Sequence, residues 1–77
     1  VKSDRVYLEH VLDSIRAITR YAEPGKDAFL RERMRQDAVL RNLEIIGEAA
    51  GKLSDDLRDR SPTPWKKVIA LRNRLIH

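Results

Sequence analysis

The stretch "VLRNLEIIGEAAGKL", Val39 to Leu53, decides the fold. Val39, Leu43, Ile46, Ala50 and Leu53 recur at steps of 4, 3, 4 and 3, the spacing that stacks side chains on one face of an α-helix. A half-buried strand needs alternation at every second position, and no window of the chain has it. Asp37, Arg41, Glu44, Glu48 and Lys52 repeat on the opposite face and read as a solvated ladder of i,i+3 and i,i+4 pairs. No proline interrupts the chain between Pro24 and Pro62. The pattern therefore predicts one helix from an Asp27 cap to about Leu53, roughly 40 Å long at 1.5 Å per residue. Gly47 and Gly51 sit inside it, where each costs up to about 1 kcal/mol relative to alanine. With Ala50 they form a smooth strip that predicts close packing of another helix.

The flanks repeat the helical signal. Leu8, Val11, Leu12, Ile15, Ile18 and Ala22 fall within a band about 120° wide, which predicts a first helix over residues 4–22 with this band as its core face. Ser3 or Asp4 can cap its free amides, and "EPGKD" ends it, because Pro24 disfavours helical geometry at Glu23. "SDDLRDR" reads as a short helical turn capped by Ser54. After the loop "SPTP", Thr63 as cap and Pro64 at the first helical position start a last helix, "PWKKVIALRNRLIH". The expected fold is all-α: an antiparallel helical bundle of two long helices, a short one and a C-terminal one, forming a single domain over residues 1–77.

The last helix contains an anomaly. At 100° per residue, Arg72 falls about 20° from Trp65, between Val68 and Ile69 on the apolar stripe. An unpaired charge costs several kcal/mol to bury, so this face is either not a closed core or provides an acceptor. One reading pairs Arg72 with a carboxylate such as Glu48. The other makes the stripe a seam between two subunits, with Arg72 and His77 of each copy on the rims of one cleft. Such a cleft suits a phosphodiester: the guanidinium grips the phosphate while an imidazole moves the proton of a 2′-hydroxyl. Glu48 can orient Arg72 or pair with Lys52 at i+4. Asn42, between the apolar and charged faces, is expected to hydrogen-bond a neighbouring helix.

Composition excludes much else. The chain has 77 residues, no cysteine, and sixteen Lys and Arg against twelve Asp and Glu, a net charge of +4 with signs mostly interleaved. Without cysteine there is no disulfide or thiol chemistry, which suits a reducing, cytoplasmic setting. No apolar run approaches the roughly 18 residues of a membrane span. There is no glycine-rich phosphate loop and no HExxH, so P-loop and metalloprotease mechanisms lack support, and no metal or cofactor is expected. His10 lies on the outer face of the first helix, where Asp13 is its one nearby ligand candidate, and two ligands do not make a metal site. A chain this short buries only about 60% of its unfolded surface. The long second helix overhangs a compact domain of about 11–12 Å radius of gyration, which predicts a homodimer with the last helix in its interface.

"RQDAVLRNLEIIGEAAGKLSDDLR" followed by "PWKKVIALRNRLIH" resembles the HepT-like toxins of the HEPN superfamily from about Asp4 to His77. "RNLEIIGEA", then "PW" and "LRNRLIH" in this order and spacing, are the most specific pieces. The resemblance implies an all-helical homodimer acting as a metal-independent endoribonuclease, the toxin of a type II toxin-antitoxin system, with RNA as substrate. Its partner would be an MNT-type nucleotidyltransferase antitoxin. Arg72 and His77 would be the catalytic arginine and histidine of the Arg-x4-His motif, with Asn73 the supporting polar residue. Arg74, Lys66 and Lys67 are further candidates for RNA contact. The family pattern continues past the histidine to a tyrosine that the antitoxin modifies with AMP; this sequence stops at His77, so the expectation is a domain lacking its C-terminal segment, and neither Tyr7 nor Tyr21 takes that tyrosine's place. A second reading of the same features is a catalytically silent helical module that binds and regulates a nucleotidyltransferase. A third is a plain dimerisation domain.

Overall fold

The computed structural model describes residues 3–76, with side chains through Arg74. Its elements are α1 (Asp4–Ala22), α2 (Lys26–Arg31), α3 (Arg33–Gly51), α4 (Asp55–Arg60) and α5 (Trp65–Ile76), with no strand among the described residues. The protein is all-α, and α3 is the central helix, packed against α1 on one side and α5 on the other. Both neighbours run antiparallel to it. Val11 of α1 and Trp65 of α5 meet Ala49, Ala50 and Leu53 at the C-terminal end of α3, and Tyr7, Ile46, Leu57, Val68 and Ile69 close around them.

The helix expected over 27–53 is broken at Glu32, whose backbone turns extended (φ −110°, ψ 102°). No glycine or proline marks the break; side chains from the next turn make it possible by satisfying exposed carbonyls. Gln36 Nε2 donates to the Phe29 and Leu30 carbonyls at the end of α2, and Arg35 Nη1 donates to the Tyr21 carbonyl at the end of α1. These are groups that a helix terminus leaves without intrahelical partners. Asp27 lies inside the first turn of α2 rather than at its cap, which is Gly25 (φ +97°), the described residue with a left-handed backbone. With 19 residues, α3 is about 28 Å long. The overhanging 40 Å helix, and the argument for a second subunit drawn from it, therefore fall away. The described structure measures 41 × 24 × 23 Å.

α1 is rotated by about 60° from its expected setting. The side facing α3 carries Tyr7, Val11, Ser14 and Ile18, with Val11 and Ser14 buried. Of the expected core face Val11 is buried and Ile18 half-buried, while Leu8, Leu12 and Ile15 are 37%, 46% and 48% exposed. The small Ser14 side chain is on the buried side, and the larger Leu12 and Ile15 near it are left outside.

Asp4 caps nothing on its own helix. Its Oδ1 accepts the Ser54 N–H at 2.8 Å and its Oδ2 the Ser54 hydroxyl at 2.7 Å, while that hydroxyl accepts the Leu57 N–H at 3.2 Å. Ser54 therefore caps α4 as expected and also fastens it to the start of α1. α5 begins one residue later than expected: the Pro64 carbonyl accepts the N–H groups of Lys67 and Val68, so Pro64 stands at the cap, and Ser61 Oγ accepts the N–H of Thr63. Asn42 donates to Ala38 O within α3 at 2.8 Å, not to a neighbouring helix.

α3 and α5 cross at Gly47. A Cβ added there would overlap Cβ and Cγ of Arg72 and stand 3.4 Å from its Cα. Gly51, expected to serve the same packing, does not: a Cβ there meets nothing within 4 Å.

Two predictions follow from these contacts. Gly47→Ala should lower stability by about 1–3 kcal/mol, since the clash is with atoms near the α5 backbone that cannot swing away, whereas Gly51→Ala should raise it by up to about 1 kcal/mol. Thermal or urea unfolding of the two variants checks the opposite signs. The two bonds from Ser54 hold the Asp4 carboxyl below its ordinary value of 3.8. The stability it confers is complete above that value and is lost as pH falls through the lower folded-state pKa. Asp4→Asn should accordingly melt below wild type at pH 7, with the gap closing in acid, as melting curves across pH would read.

Candidate functional site

The site is built around Arg72. Trp65, 9% exposed, anchors the start of α5 in the core, and seven residues later the same stripe delivers Arg72 onto Gly47. The methylene stem takes the place of an apolar side chain, and the charged head runs out past the helix. This resolves the anomaly in the stripe: bare backbone on α3 accepts the stem, and the side chain stays 28% exposed.

The guanidinium is held from two sides. Nη1 donates to Asn73 Oδ1 at 3.2 Å and Nη2 to Glu48 Oε1 at 3.5 Å, while Nε is buried with no partner. An unmet buried N–H typically costs about 1–3 kcal/mol. Between the two reasonable pairings for Glu48, the structure selects Arg72. Lys52 instead carries its ammonium over the Tyr7 ring, 5.8 Å from the centroid, joining the end of α3 to α1.

Beside Arg72 lies a cleft of about 430 Å³ lined by Gly47, Glu48, Gly51, Lys52, Ile69 and Arg72. Glu48 and Lys52 also border a narrower cleft with Tyr7, His10, Ile45 and Ala49. The two residues thus form a ridge between Arg72 on α5 and the edge-to-face Tyr7–His10 pair on α1, whose ring centroids are 6.3 Å apart. Chemically, the larger cleft offers an anion a partly exposed guanidinium, with a carboxylate at its side and the Lys52 side chain in the same lining.

Of the residues singled out from sequence, Arg72 and Asn73 come together. Arg74, Lys66 and Lys67 are exposed on α5. His77 lies outside the described residues. His10 is exposed, Asp13 pairs with Arg16 at 3.9 Å, and no group of three His, Asp or Glu side chains among the described residues has metal-ligand spacing. Sequence reasoning missed the structural roles of Arg35 and Gln36. No helix among the described residues is long and apolar enough to cross a membrane.

The amino-acid sequence is similar to those of known proteins. The HepT-like ribonuclease family profile matches residues 11–77. A Methanocaldococcus jannaschii protein named as a candidate RNase is 37% identical over 78 residues, covering 99% of this chain and 64% of the relative. The "Probable ribonuclease HepT" of Thermococcus cleftensis is 36% identical over 78 residues, 99% of this chain and 71% of the relative. A second M. jannaschii protein, named as a gamma-glutamylcyclotransferase and candidate RNase, is 39% identical over 77 residues, 97% of this chain but 35% of its own length. The chain thus spans between about a third and seven-tenths of the length of these relatives. No solved structure gives a significant match. With the family pattern covering nearly all of α1 through α5, this chain belongs to the HepT-like ribonuclease family.

Proposed function

We propose that the chain is a metal-independent endoribonuclease, the toxin of a type II toxin-antitoxin system, with its site completed at a homodimer interface and its activity restrained by an MNT-type nucleotidyltransferase partner. The observation that carries the reading is the placement of Arg72: a stem seated on Gly47 that holds the guanidinium at the edge of an open cleft, with a buried Nε and contacts of 3.2 and 3.5 Å at its other nitrogens. A purely structural arginine would be expected to close on its carboxylate with short, paired hydrogen bonds. Here the head group is positioned but under-satisfied, the state in which a phosphate gains most by binding.

In this reading Arg72 binds a non-bridging phosphate oxygen and stabilises the charge that develops on it, Asn73 steadies the guanidinium, and His77 serves proton transfer. Lys66, Lys67 and Arg74 lend positive charge along α5 for the RNA backbone. The homodimer draws support from the half-open fold, because Leu8, Leu12 and Ile15 form an exposed apolar stripe on α1 and Leu71 on α5 is 44% exposed.

Cleavage of RNA by the purified protein, undiminished by EDTA, is the expected result; RNA left intact would refute the nuclease and favour a silent module that regulates a nucleotidyltransferase. His77→Ala should reduce cleavage by about 10²- to 10⁴-fold with little change in melting temperature. Arg72→Ala should abolish cleavage while changing stability by little, because relief of the unmet Nε offsets the lost packing of the stem. Cleavage assays and melting curves on both variants decide the matter: a variant that unfolds at Arg72, or one that cleaves normally without His77, contradicts the catalytic assignment.

A further inference from the structure

The carboxylate of Glu48 has no part in the chemistry described so far. It touches Arg72 through Oε1 alone, at 3.5 Å, and Oε2 has no hydrogen-bond partner among the described residues. Its side chain is 47% exposed and faces the clefts on both sides of the ridge. Lys52, the cation one turn on, is drawn away to Tyr7 and does not neutralise it. A single long contact at this exposure adds little to stability. It nevertheless keeps a carboxylate beside the guanidinium, with one oxygen available.

Resting on the ribonuclease reading, we propose that Glu48 is the general base that takes the proton from the ribose 2′-hydroxyl. A phosphate held by the Nη groups of Arg72 brings with it the adjacent 2′-oxygen, about 3–3.5 Å from phosphorus in a reactive conformer. A carboxylate that shares the same guanidinium is then within reach of that hydroxyl, at a hydrogen-bond distance of about 2.6–3.2 Å. Glu48 Oε2 accepts the proton as the 2′-oxygen forms its bond to phosphorus. The bond from phosphorus to the 5′-oxygen breaks, and the leaving oxygen takes a proton from the general acid, for which His77 is the candidate in the sequence. The products are a 2′,3′-cyclic phosphate and a 5′-hydroxyl. The proton on Glu48 passes to solvent, and no oxidant, reductant or metal enters the balance.

The test compares wild type with Glu48→Gln, Glu48→Ala and Arg72→Ala on a short RNA oligonucleotide, following kcat and KM across pH. Glutamine keeps an oxygen for Arg72 but is not a base. Glu48→Gln should lower kcat by about 10²- to 10⁴-fold, change KM little and remove the acidic limb of the wild-type pH–rate profile. The wild-type product should carry a 2′,3′-cyclic phosphate. Glutamine near wild type with alanine impaired would make Glu48 a positioning residue for Arg72 and overturn the proposal, as would a rise in KM alone or a wild-type profile without an acidic limb. If Arg72→Ala fails to cleave while Glu48→Gln matches wild type, only this inference falls. If wild type leaves RNA intact, the nuclease reading falls and takes the inference with it.

Discussion

The contact between the stem of Arg72 and the bare backbone of Gly47 sets the geometry of everything around the cleft. Two helices can cross at a side chain as long as arginine only if one of them contributes no Cβ at the crossing. That constraint fixes the distance between α3 and α5, and with it the position of the guanidinium relative to Glu48 one residue further along α3. It also explains how a charged residue occupies the centre of an apolar stripe without being buried as a charge. Methylene groups do the packing, and the head emerges where α3 offers a carboxylate and open space.

The other end of α5 is held differently. Trp65 enters the core formed by Val11, Ala49, Ala50 and Leu53, and α4 closes over this region through Leu57. Asp4 and Ser54 join the start of α1 to the start of α4, so residues 50 positions apart share a hydroxyl and a carboxylate. Position along α5 is thus set by an aromatic anchor at one end and a steric notch in the middle. The cleft lies at the notch, with Gly47, Ile69 and Arg72 in its lining.

What was legible in the sequence was whatever depends on neighbours along the chain. The helical period of Val39 to Leu53, the turn at Pro24 and Gly25, and the Ser54 cap all have local causes, and the structure contains them. The break at Glu32 has no local cause. It depends on Arg35 reaching the end of α1 and Gln36 reaching back to α2, contacts that exist only once the helices have met. The face that α1 turns inward was hidden for a related reason, because a broad apolar band does not reveal which edge a central helix will take, and here the buried edge includes a serine, Ser14. At the site, Arg72 was conspicuous as a charge on an apolar stripe. The partner of Glu48 was ambiguous until the structure showed Lys52 engaged with Tyr7. Of the two glycines one turn apart, only the structure distinguishes the notch at Gly47 from the open space at Gly51.

The uneven core implies an order of opening. Among the described residues the five buried apolar side chains lie where α1, α3 and α5 meet near Leu53, whereas Tyr21, Leu30 and Met34 at the opposite end are 39%, 60% and 87% exposed. Local unfolding costs least where little apolar surface must be uncovered. The α2 end can therefore fray while the helices around the arginine cleft stay docked, so amide protons at the two ends would exchange with solvent on different timescales. Thermal agitation is taken up at the end remote from Arg72, and the cleft keeps its shape until the whole domain unfolds.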